Sequence, residues 1–138
     1  MQNEKKIAHL EMIQGVINRM ASNSFALKGW TVTLVAGIFV LSSKNVNEVF
    51  FLVAYLPTIC FWFLDSFYLL QERLYRSLYG KVRTLEEVQI DFDMNASKDE
   101  FRNEKNTFIS CLISRTEIGF YIPLAVVVSI VVLISLLI

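Results

Sequence analysis

The chain has 138 residues, enough for one core, and its 54% hydrophobic content and mean hydropathy of +0.48 exceed what a soluble domain of that size usually carries. A formal net charge of zero excludes a globally basic nucleic-acid binder. Cys60 and Cys111 share no metal-ligand or redox spacing and His9 is the only histidine, so two reduced, partly buried thiols are expected, with no metal centre and no cofactor.

Residues 1–24 predict an amphipathic helix. Ile7, Leu10, Ile13, Ile17 and Met20 recur at spacings of three and four, with Lys6, Glu11 and Arg19 elsewhere. It is expected to pack on other cytoplasmic helices, the alternative being a helix lying on the membrane surface. Ser22, Asn23 and Ser24 can end it or cap the helix that follows. The first apolar run, Phe25 to Ser43, is broken only by Lys28, and no small-residue cleavage site follows it. After a short loop, Lys44 to Glu48, the second run extends from Val49 to Leu70 and is broken only by Asp65. The third, Ile118 to Ile138, carries no charge. Each run has roughly 19–22 residues, which at about 1.5 Å per residue spans a hydrocarbon core of about 30 Å. Only a helix satisfies its own backbone in lipid, so all three are expected to be helical.

Beyond the second run, Leu70, Leu74, Leu78, Val82, Leu85 and Val88 continue a helical stripe, which predicts one helix from about Val49 to Gln89. Asp91 to Ala96 is a polar break. Ser97 with Glu100 fits a capping box, and a helix from Lys98 through Phe101, Phe108 and Leu112 is expected to lead into the third run, with Gly119 and Pro123 as possible kinks. The expected architecture is an all-α membrane protein: three transmembrane helices whose cytoplasmic helical extensions form a small bundle. Its parts are 1–24, the cytoplasmic helix; 25–70, a transmembrane hairpin; 71–117, a cytoplasmic helical hairpin; and 118–138, the third transmembrane helix. Nearly every Lys and Arg lies before the first run or between the second and third, which predicts a cytoplasmic N-terminus and central segment and a C-terminus facing the periplasm or exterior. Trp30, Tyr68 and Tyr121 fall where an interfacial aromatic belt would lie.

Five features are candidates for function. Gly29, Thr33 and Gly37 form a small-residue face, suited to packing within the chain or to homo-oligomer contact. Asp65, the one acid inside a run, needs water or a partner; Lys28 and Arg73 are candidates, and the pair Lys28–Asp65 reads either as a structural ion pair or as a pore vestibule. Pro57 removes a backbone hydrogen bond in mid-run and serves as a kink or a gating hinge. The third run is either a lipid anchor or, around Ser129, a hydrophobic gate. Arg73, Arg76, Lys81 and Arg83 interleave with Tyr75 and Tyr79, a pattern that suits either nucleotide phosphates and bases or a solvated face attracted to anionic lipid. No Gly-rich phosphate loop, Ser/His/Asp set or metal cluster is present in the sequence, so an enzyme is not expected.

Three blocks carry a resemblance. The first is His9-Leu10-Glu11-Met12-Ile13-Gln14 with Asn18-Arg19-Met20-Ala21, Asn23-Ser24-Phe25 and Lys28-Gly29-Trp30. The second is Phe61-Trp62-Phe63-Leu64-Asp65 with Tyr68-Leu69, Gln71-Glu72-Arg73-Leu74-Tyr75-Arg76 and Leu78-Tyr79. The third is Phe120-Tyr121-Ile122-Pro123-Leu124. Together they resemble small three-helix bacterial membrane proteins akin to membrane effectors of anti-phage defence, the channel subunit of Hailong-type systems in particular. The resemblance implies an oligomeric inner-membrane channel that depolarises the infected cell, with a nucleotidyltransferase partner whose nucleotide or oligonucleotide product holds it shut. The alternative is a non-conducting anchor or scaffold that recruits a cytoplasmic partner.

Overall fold

The computed structural model describes residues 3–42 and 48–137, with the side chains of all but 48–50. The expected loop from Lys44 and the terminal Ile138 lie outside the described residues. The structure is 83% helical with no strands among the described residues. The helices are α1 (Glu4–Ser42), α2 (Glu48–Val53), α3 (Tyr55–Thr84), α4 (Phe108–Leu112) and α5 (Arg115–Leu137), with 3-10 turns at Glu87–Gln89 and Asp99–Phe101. Three stretches, Glu4–Ser42, Phe51–Thr84 and Arg115–Leu137, are long and apolar enough to cross a membrane. The protein is an all-α membrane protein.

α1 runs through Ser22, Asn23 and Ser24 without a break. None of the three constrains φ as proline does, and Ser24 Oγ instead accepts a hydrogen bond from Lys28 Nζ at 3.1 Å, one turn on. The predicted cytoplasmic helix and first span are therefore one rod of 39 residues, about 58 Å long, nearly twice a hydrocarbon core.

The predicted helix Val49–Gln89 is shorter and divided. It is interrupted at Ala54, whose N–H turns back to Phe51 O at 3.2 Å. Pro57 explains the position: it has no N–H for the carbonyl of Val53, and its ring would collide with that carbonyl in an unbroken helix. Thr58 Oγ1 donates to Ala54 O at 3.0 Å, which satisfies a carbonyl at the break. At the other end Leu85 turns extended, with φ −74° and ψ 152°, and Lys6 Nζ donates to its carbonyl at 2.8 Å.

The return from α3 is a strap rather than the expected second arm of a helical hairpin. Asp91, Asp93 and Asn95 each accept the backbone N–H two residues on, at 2.9–3.0 Å, and Asn103 Oδ1 accepts from Lys105 and Asn106. Side chains that bond their own backbone in this way compete with helix formation. The box expected at Ser97 and Glu100 does not form. The turn at Asp99 has no side-chain cap, and Glu100 Oε1 is held by Lys81 Nζ at 2.7 Å. The working cap is Thr107, whose Oγ1 accepts Ser110 N–H at 3.2 Å and opens α4. At Phe92 the strap takes φ 57°, an uncommon conformation for a bulky residue, and its ring lies 5.4 Å from the His9 imidazole.

Two apolar clusters hold the protein. At the polar end Ile13 and Ile17 of α1 meet Leu74, Leu78 and Val82 of α3, closed by Ala96 and Phe101 of the strap. Burial of each such aliphatic side chain from water stabilises by about 1.5–3 kcal/mol. Nearer the opposite end Val35, Ala54 and Val128 form the second cluster. In lipid that cluster gains from close packing and not from leaving water. Along the spans Phe25, Leu41, Leu133 and Leu137 point outward at 59–85% exposure, apolar surface suited to hydrocarbon.

Candidate functional site: a buried charge cluster between the spans

Between the two apolar clusters lies a polar one, with a member from each span. Lys28 comes from α1, Asp65 from α3, and Glu117 and Tyr121 from one face of α5, a turn apart. Lys28 Nζ forms an ion pair with Asp65 Oδ2 and a second with Glu117 Oε1 at 3.0 Å. Tyr121 OH donates to the same Asp65 oxygen at 2.9 Å. Asp65 and Tyr121 are fully buried, Glu117 is 1% exposed, and the Lys28 side chain keeps 20%. The ammonium also lies 5.8 Å from the Tyr121 ring centre and 5.9 Å from that of Phe120, within cation–π range. Trp62 of α3 stacks on Tyr121 of α5 at 6.0 Å, and its Nε1 donates to Leu112 O at 3.1 Å, which ties the end of α4 to α3.

One ammonium thus faces two carboxyl groups in a place where charge is expensive. The set is also incompletely bonded: Asp65 Oδ1 and Glu117 Oε2 are buried without a hydrogen-bond partner among the described residues. Two unpaired carboxyl oxygens beside a phenol and an ammonium leave acceptor positions open to a proton or a water molecule.

Of the sequence-predicted residues, Lys28 and Asp65 are brought together. Arg73, the other candidate partner of Asp65, is not; its NH1 donates to Lys105 O at 2.6 Å and to Ser110 Oγ at 3.3 Å. Glu117 lies one residue outside the third apolar run and Tyr121 falls in the expected interfacial belt, so the linear sequence shows neither as a cluster member. The available signal was their i, i+4 spacing, which puts an acid and a phenol on one face at the mouth of an otherwise uncharged helix.

Gly29, Thr33 and Gly37 are exposed, and a Cβ built on either glycine meets nothing within 4 Å, so this face is not used for packing within the chain. Pro57 marks the α2–α3 break. Ser129 is bonded on two sides, to Tyr55 OH at 2.6 Å and to Ala125 O at 2.8 Å, and so fastens α5 to the start of α3.

The six residues expected to form one ligand surface do not converge. Tyr75 and Tyr79 pack inward on the apolar cluster at the polar end. Lys81 is paired with Glu100 and lies 5.7 Å from the Phe101 ring centre. Arg83 is exposed two turns beyond Arg76. Side chains of an α-helix diverge by about 100° per residue, so six positions within eleven cannot share one face. Arg73 and Arg76 alone enter a groove, of about 850 Å³, and there they meet Lys105 and Arg115 instead.

Comparison of the chain with protein families, with curated proteins and with solved structures finds no match. The fold and the cluster define the class: a membrane protein with three apolar helices joined by an enclosed set of ionisable side chains.

Proposed function

We propose that the chain is a homo-oligomeric ion-conducting protein of the bacterial inner membrane, with the polar end in the cytoplasm, the C-terminus facing the periplasm or exterior, and the charge cluster as the element that ions encounter. The single observation that carries this reading is the Lys28–Asp65–Glu117–Tyr121 set, enclosed among the spans with two unpaired carboxyl oxygens. Ionisable groups retained inside a span mark ion or proton pathways. The unpacked face of Gly29, Thr33 and Gly37 supports a second copy as its partner, since close backbone approach is how helices associate in lipid. The excess of Lys and Arg at the polar end supports the orientation. A role as an anti-phage effector, with a nucleotidyltransferase and its nucleotide product as partners, is supported by the resemblance of the sequence blocks and by nothing else.

Induced expression in a bacterial cell tests conduction. A potential-sensitive dye is expected to report depolarisation, and the double variant D65N/E117Q is expected to alter it. An unchanged potential, with the protein verified in the membrane as an oligomer, would overturn the reading in favour of a non-conducting anchor or scaffold.

A further inference from the structure

We propose that the groove between α3, α4 and the start of α5 binds the phosphate of an anionic phospholipid headgroup in the leaflet at the polar end. The inference does not depend on ion conduction. Arg73 and Arg76 from α3, Lys105 from the strap and Arg115 from the first turn of α5 line the same groove. These cations come from separate segments of the chain, so their meeting is a product of the fold and not of a basic run in the sequence. Compensation is slight. Glu72 holds Arg76, through Nε at 2.8 Å and NH2 at 2.7 Å. Among the described residues the Lys105 and Arg115 side chains have no ion-pair partner. Arg73 is anchored by its bonds to Lys105 O and Ser110 Oγ, so its planar guanidinium is already ordered before any anion arrives.

The position of the groove selects the source of the phosphate. Ile113 lines it at 61% exposure, and Ile109, one turn earlier on α4, is 67% exposed. α4 sits at the edge of the spans: Phe108 stacks on Phe63 at 6.0 Å, and Arg115 opens the third membrane-crossing helix. Cations on one side and bare isoleucines on the other match a molecule with a phosphate head and acyl chains. A soluble phosphate compound would leave the isoleucines uncovered in water. Long basic side chains at this depth reach headgroup phosphates while their stems stay in apolar surroundings.

The test uses the full chain in neutral detergent. Retention of phosphatidylglycerol, phosphatidylcholine and inorganic phosphate is measured by native mass spectrometry and by fluorescent-lipid titration. Phosphatidylglycerol is expected to bind in preference to phosphatidylcholine. K105Q/R115Q removes two cations that have no ion-pair partner among the described residues, so the fold should persist, and it is expected to weaken phosphatidylglycerol binding on the order of thirtyfold. R83Q, two turns along α3 and outside the groove, is expected to leave it unchanged. Equal retention of the two lipids, or an R83Q loss as large as that of K105Q/R115Q, would overturn the site. Displacement of the lipid by submillimolar inorganic phosphate would overturn the lipid assignment and give the groove to a soluble phosphate ligand.

Discussion

Replacing Lys28 by methionine should be among the most damaging single changes in the protein, although the residue is one of thirteen basic side chains. Its ammonium bonds Asp65 Oδ2, Glu117 Oε1 and Ser24 Oγ, the last two at 3.0 and 3.1 Å. Methionine fills similar space but donates nothing, so two buried carboxyl groups lose their counter-ion together. Removing one partner of a buried pair costs about 3–5 kcal/mol. The 20% exposure of the Lys28 side chain lets some water reach the site, which places the loss near about 3 kcal/mol, or roughly two orders of magnitude in the unfolding equilibrium. The triple variant K28M/D65N/E117Q removes the uncompensated charge as well and should recover most of that loss. Denaturant titration of the purified protein in a mild detergent, followed by tryptophan fluorescence, measures both. A loss below about 1 kcal/mol for K28M would match an ordinary exposed pair and refute the argument, as would a triple variant no better than the single one.

Other consequences are as direct. Glu87 caps the start of α1, with Oε2 accepting from Asn3 N–H at 2.7 Å and Oε1 from Lys5 N–H at 3.2 Å, and these bonds hold its carboxyl below the ordinary 4.5. A lowered acid stabilises the joint above its unfolded value, and that stability is lost as pH falls through the folded value, so hydrogen-exchange protection around residues 3–7 and 85–90, taken relative to the intrinsic rate at each pH, should fall below about pH 4.5. Glu87→Gln should remove that pH dependence. Phe101→Ala should cost about 3–5 kcal/mol by denaturant titration, because the ring is 5% exposed and the strap offers little to collapse into the cavity. Burial pushes the Cys111 thiol above its usual range, so a water-soluble maleimide at neutral pH should leave it unmodified until the protein unfolds. Gly37→Leu should leave protomer stability nearly unchanged and lower the mass of the detergent-solubilised assembly if that face joins two copies.

Apolar run length made the spans legible in the sequence, because lipid leaves the backbone a single solution over some twenty residues. The i, i+4 stripes of Ile13 and Ile17 and of Leu74, Leu78 and Val82 gave the core at the polar end for a similar reason, and both stripes are buried against each other. Local competition was harder to read. Ser22 to Ser24 looked like a boundary, yet three small polar residues do not stop a helix whose neighbours on either side are packed. The strap looked helical from Lys98 on, yet Asn95, Asn103 and Thr107 use their side chains on the backbone and draw it into turns. Half of the charge cluster was visible, since Lys28 and Asp65 are the lone charges in their runs. Glu117 was not, because a linear division of the chain placed it one residue outside the third run, whereas in space it lies level with the other two. The groove was invisible for a different reason. Lys105 and Arg115 meet Arg73 and Arg76 only once the strap has folded back, and no spacing along the chain encodes that.

Planar-bilayer recording on the purified oligomer tests the central claim most directly. Discrete current steps are expected from the wild-type protein, with a changed conductance or ion preference in D65N/E117Q. A correctly assembled, membrane-embedded protein that passes no current under any applied voltage would contradict it.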